Sequence, residues 1–86
     1  MFKLSRLVAN ELSKLEQVMN GMKVMEGGKE VMELARSYLE DSKYFFKRRE
    51  YLKAFELVNY IWGLLDACAI LKLVDPMEFR KYFKVD

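Results

Sequence analysis

The chain has 86 residues, 52% of them hydrophobic and 33% charged, with a net charge of +2. That is apolar material for one folded domain over 1–86 rather than a disordered tail, and too little net charge to argue for nucleic acid by itself. Histidine is absent, which removes the commonest metal ligand and general base, and with them a ferritin-like Glu-x-x-His centre.

Helical periodicity runs through the whole chain. In the first segment Leu4, Val8, Leu12, Leu15, Met19 and Met22 recur every three or four residues, flanked by Leu7 and Val18, which predicts a helix over about 3–25. Glu11 falls inside that apolar stripe. Gly21 weakens the end of the helix, and Gly27-Gly28 terminates it. A second helix over about 29–48 turns Val31, Leu34, Ala35, Tyr38, Ser42 and Phe45 inward, with Met32, Leu39 and Phe46 widening the face.

The third helix, about 50–73, has apolar positions over more than half its circumference. Phe55, Val58, Ile61, Trp62, Leu65, Cys68 and Ala69 form its main face, and Leu57, Leu64 and Leu71 form a second stripe with a spacing of seven. Its run from Leu57 to Leu71 contains one charge, Asp66, and is shorter than the roughly 20 residues that span a bilayer. A short helix over 76–83 follows, with Asp75 as N-cap, Pro76 in the first helical position, and Val74 placed to staple against Phe79. Short connections favour antiparallel neighbours, so the expected fold is all-α, an up-down-up three-helix bundle with a short C-terminal helix.

Charge is unevenly distributed. Residues 30–42 carry Glu30, Glu33, Glu40 and Asp41 against Arg36, whereas 43–53 carry Lys43, Lys47, Arg48, Arg49 and Lys53 against Glu50. The first twenty residues are broken by Lys3, Arg6, Glu11, Lys14 and Glu16, leaving no secretory apolar core. The single Cys68 reads as a reduced, buried small hydrophobe in a cytoplasmic protein.

The segment from Ala35 to Asp75 resembles the archaeal family catalogued as domain of unknown function 357. That family carries a Tyr-x-x-Asp-x-x-x-Phe helix and, after a short turn, an Ala-Phe helix ending in Gly-Leu-Leu-Asp-Ala. Tyr38, Asp41 and Phe45 match the first pattern, and Ala54, Phe55, Gly63, Leu64, Leu65, Asp66 and Ala67 the second. The resemblance implies an archaeal source and a three-helix fold like that of immunoglobulin- and albumin-binding modules. It implies no activity and no cofactor.

Three surfaces are candidates for function. The first is polar: Asp66 with Asn59 on one helix edge, Asp41 with Tyr38 on another, and Glu11 in the apolar stripe. Such acids either bind a hard cation or act in catalysis, or else fix helix register through ordinary hydrogen bonds, which is the commoner role. The second is the stripe Leu57, Leu64 and Leu71 with the small pair Gly63 and Ala67, where another helix could approach unless the C-terminal helix covers it. The third is the basic turn Lys43, Lys47, Arg48, Arg49 and Lys53, interleaved with Tyr44 and Tyr51, able to meet phosphates. No phosphate-binding glycine loop and no paired cysteine motif is present. The expectation is a non-enzymatic module that binds a protein partner or a second copy of itself, with no catalytic residue, metal or membrane anchor. The alternatives are a carboxylate-based metal protein or enzyme using Asp66, Asp41 and Glu11, and a nucleic-acid binder using the basic turn.

Overall fold

The computed structural model describes residues 3–83. Three helices, α1 (Leu4–Gly21), α2 (Lys29–Lys47) and α3 (Tyr51–Ile70), pack up, down and up into a bundle. A two-residue ladder joins β1 (Lys23–Val24) to β2 (Val74–Asp75) in antiparallel register, Lys23 opposite Asp75 and Val24 opposite Val74. A single 3₁₀ segment, Met77–Tyr82, closes the described chain.

The core is the meeting of the three apolar faces. Val8, Leu12, Leu15, Val18 and Met19 come from α1, Met32, Ala35 and Leu39 from α2, and Ala54, Val58, Ile61, Leu65, Cys68 and Ala69 from α3. Each fully enclosed Leu or Ile contributes about 1.5–3 kcal/mol, and Leu15, Leu39, Ile61 and Leu65 are such residues. The inward face of α2 is rotated from expectation. Met32 and Leu39 lie at its centre, Tyr38 and Phe45 at its edge, and Leu34 is exposed. The rotation brings small residues to the α2–α3 crossing, where buried Ser42 Oγ donates to Ala54 O at 2.9 Å.

The first helix ends at Gly21 instead of running to 25, because Met22 turns extended and Lys23–Val24 pairs with the chain after α3. Gly28 is required at that connection: a Cβ there would lie 2.1 Å from Leu73 O. Both α2 and α3 end in left-handed residues, Arg49 and Lys72, each at φ 62°. The N–H groups of Arg49 and Glu50 bond to Phe46 O and Phe45 O, and those of Lys72 and Leu73 to Ala69 O and Cys68 O. This is the paired C-terminal motif that glycine normally closes, built here with cationic side chains. The fourth element is not an α-helix over 76–83. Asp75 Oδ1 does accept the Met77 N–H at 2.9 Å, as expected of a cap, but Met77 sits at φ 55° and the segment continues as 3₁₀.

Candidate interaction surface on the third helix

The C-terminal segment decides which faces of α3 stay open. Phe79 lies against the end of α1, where a Cβ on Gly21 would meet its ring at 2.3 Å. Phe83 is buried and packs edge-on to Trp62, with ring centroids 6.2 Å apart. Trp62 Nε1–H donates to Glu11 Oε1 at 2.9 Å, and Glu11 Oε2 accepts from Lys14 Nζ at 3.1 Å. The segment therefore covers the α1–α3 seam and leaves the outward side of α3 uncovered.

On that outward side Tyr60, Ile70 and Leu71 are 55%, 58% and 67% exposed, and Asn59, Gly63 and Ala67 are exposed beside them. A Cβ built on Gly63 has nothing within 4 Å. Leu57 and Leu64 belong to a different environment. Both are half-buried and Leu64 packs on the core, so only Leu71 of the heptad stripe is an open residue. The exposed ridge is offset toward Tyr60 and Ile70, two residues that the spacing of seven passes over. A helical wheel places both with Gly63 and Ala67.

The polar candidates are dispersed. Glu11 is engaged with Trp62 and Lys14, Asp41 is exposed on α2, and Asp66 is half-buried on α3. Among the described residues no three His, Cys, Asp or Glu side chains are grouped to hold a metal ion. Tyr38 and Tyr60 do meet, edge to face at 5.0 Å. The Tyr38 hydroxyl is pushed above the ordinary tyrosine range, first by Tyr60 and then by burial and Asp41. Cys68 is buried, and burial pushes its thiol up as well, the behaviour of an unreactive structural cysteine.

In the basic turn, Lys43 is drawn away by Glu16 and Glu40, whose hydrogen bonds raise its ammonium above the usual lysine value, Glu16 leading. Glu50 bridges Arg48 at 2.9 Å and Lys53 at 3.2 Å. Those two hydrogen bonds hold its carboxyl below the usual carboxylate range, Arg48 contributing most. Tyr44 remains open, with the Arg48 guanidinium 5.5 Å from its ring centre. No described helix is long and apolar enough to cross a membrane.

No curated protein and no solved structure matches the chain. A family model does, from residue 3 to residue 74. That span takes in α1, β1, α2, α3 and the first residue of β2, and stops short of the C-terminal stretch that carries Phe79 and Phe83. The chain belongs to the family described as protein of unknown function (DUF357).

Proposed function

We propose that this protein is a non-enzymatic helix-pairing module that self-associates through the outward face of α3. The observation that carries the reading is Gly63. A glycine inside an exposed helix costs about 1 kcal/mol relative to alanine, and among the described residues nothing within 4 Å needs the missing side chain. Close approach by an external backbone does need it. Around Gly63 the residues Tyr60, Ala67, Ile70 and Leu71 are open, with polar Asn59 and half-buried Asp66 along one edge, and an exposed apolar patch with a polar rim is typical of a partner surface.

A second copy fits because the face is self-complementary under a two-fold axis. An antiparallel pairing centred between Gly63 and Ala67 sets each against the other, allowing the backbones to close, while Tyr60 of one copy faces Ile70 of the next. The single unpaired Cys68 and the family resemblance support placing the module in the reducing cytoplasm of an archaeal cell.

Sedimentation over a wide concentration range tests the reading. The parent chain is expected to show a monomer–dimer equilibrium, and Ala67→Arg to remain monomeric with unchanged helicity. A parent chain that stays monomeric at millimolar concentration overturns self-association.

A further inference from the structure

The bundle has a basic pole. Because α1 and α3 run antiparallel to α2, the start of α1 and the α2–α3 turn lie at the same end. The cross-links Lys43–Glu16 and Arg36–Met19 between α1 and α2 give the register, with residue numbers falling along α1 as they rise along α2. Lys3 and Arg6 therefore join Lys47, Arg48, Arg49 and Lys53, opposed by Glu50 and by Glu56, which the Trp62–Glu11 contact sets level with the first turn of α1, a net of +4. The rest of the described chain sums to −2.

Four of the six cations at this pole are available, Arg48 and Lys53 being bridged by Glu50. Among the described residues Lys3, Arg6, Lys47 and Arg49 have no carboxylate partner, and α1 and α3 carry no acidic residue in their first turns. Arg49 stands at the tip of the turn with φ 62°, a position that glycine adopts more readily. Tyr44, 56% exposed, presents an aromatic ring beside them.

From this arrangement we propose that the basic pole binds the phosphate backbone of nucleic acid without sequence preference. Three of the six cations are arginines, whose planar forks match phosphate oxygens. The two smaller dimensions of the molecule, 25 and 17 Å, bound an end face on which several cations can meet the phosphates of one strand. Tyr44 provides a stacking surface for an adjacent base. A bilayer is a poorer match, because among the described residues Leu52 is the one open aliphatic side chain in the turn region and offers little to insert. The pole is separate from the α3 ridge, so this binding does not depend on self-association.

Fluorescence anisotropy with a labelled twenty-nucleotide single strand and its duplex tests the proposal from 20 to 300 mM salt. The parent chain is expected to bind at low salt, with affinity falling linearly in log–log form. Lys47→Gln/Arg49→Gly is expected to weaken binding about tenfold and to reduce the salt slope by about 2, at roughly 0.9 per phosphate lost. Lys3→Gln/Arg6→Gln should act in the same direction, which a site confined to the turn would not require. Lys23→Gln/Lys29→Gln, at the opposite end, removes the same charge and is expected to change affinity less than twofold. Absence of binding at 20 mM salt, or an equal loss in the opposite-end variant, overturns the proposal. So does binding to phosphatidylserine vesicles or polyglutamate in preference to either oligonucleotide.

Discussion

Glu11 has the most distinctive environment of any single residue. A carboxylate in an apolar stripe needs partners, and it finds the Trp62 indole and the Lys14 ammonium. Glu11→Ala leaves the indole N–H without its acceptor, an expected cost of about 1–2 kcal/mol. Thermal unfolding followed by Trp62 fluorescence should show a melting point lower by several degrees. Glu50 carries the pH dependence. Its carboxyl is held low mainly by Arg48, so the folded state favours its ionised form. That contribution is present above the ordinary glutamate range and is lost as pH falls through the depressed value. An NMR titration of Glu50 should shift upward in Arg48→Gln. Cys68, enclosed and raised by burial, should react with a thiol reagent only after denaturation.

At the scale of elements, the glycines separate packing from function. Gly28→Ala forces a Cβ toward a backbone oxygen that cannot move aside and is expected to cost more than 2 kcal/mol, roughly the range of overpacked sites. Gly63→Ala adds a methyl to open space and should stabilise the monomer by up to about 1 kcal/mol; chemical denaturation of both variants at low concentration measures the contrast. The helices were readable from the sequence because their apolar periods are strong. Their ends were not readable to the residue. α1 ends at Gly21 because the chain after it turns extended to pair with β2, and Gly21 itself is needed because Phe79, nearly sixty residues later, fills the space of a side chain there. The β1–β2 ladder depends on two chain segments meeting, which no local pattern encodes. In α2 the period puts Leu34 inward and Leu39 at the edge of the face, and the close crossing at Ser42 and Ala54 reverses them, burying Leu39 and exposing Leu34. On α3 the counted spacing of seven pointed to Leu57 and Leu64, yet coverage by neighbouring elements leaves Tyr60, Ile70 and Leu71 open. Exposure is a tertiary property, and only the small pair Gly63 and Ala67 marked that side in advance.

For the whole molecule, the three-helix bundle has two surfaces of different character, a lengthwise apolar ridge on α3 and a basic pole. The C-terminal segment belongs to neither, since it caps the α1–α3 seam through Phe79, Phe83 and Trp62. Truncation after Asp75 should therefore lower stability by exposing Trp62 without abolishing self-association, as unfolding and sedimentation together would show. The central claim is that α3 pairs antiparallel with its copy at Gly63 and Ala67. Oxidative crosslinking of an equimolar mixture of Gly63→Cys and Ala67→Cys chains tests it most directly, because native Cys68 is buried and stays silent. The expected result is a disulfide-linked heterodimer that forms faster in the mixture than in either chain alone. Crosslinking no faster in the mixture than in the separate chains would contradict it.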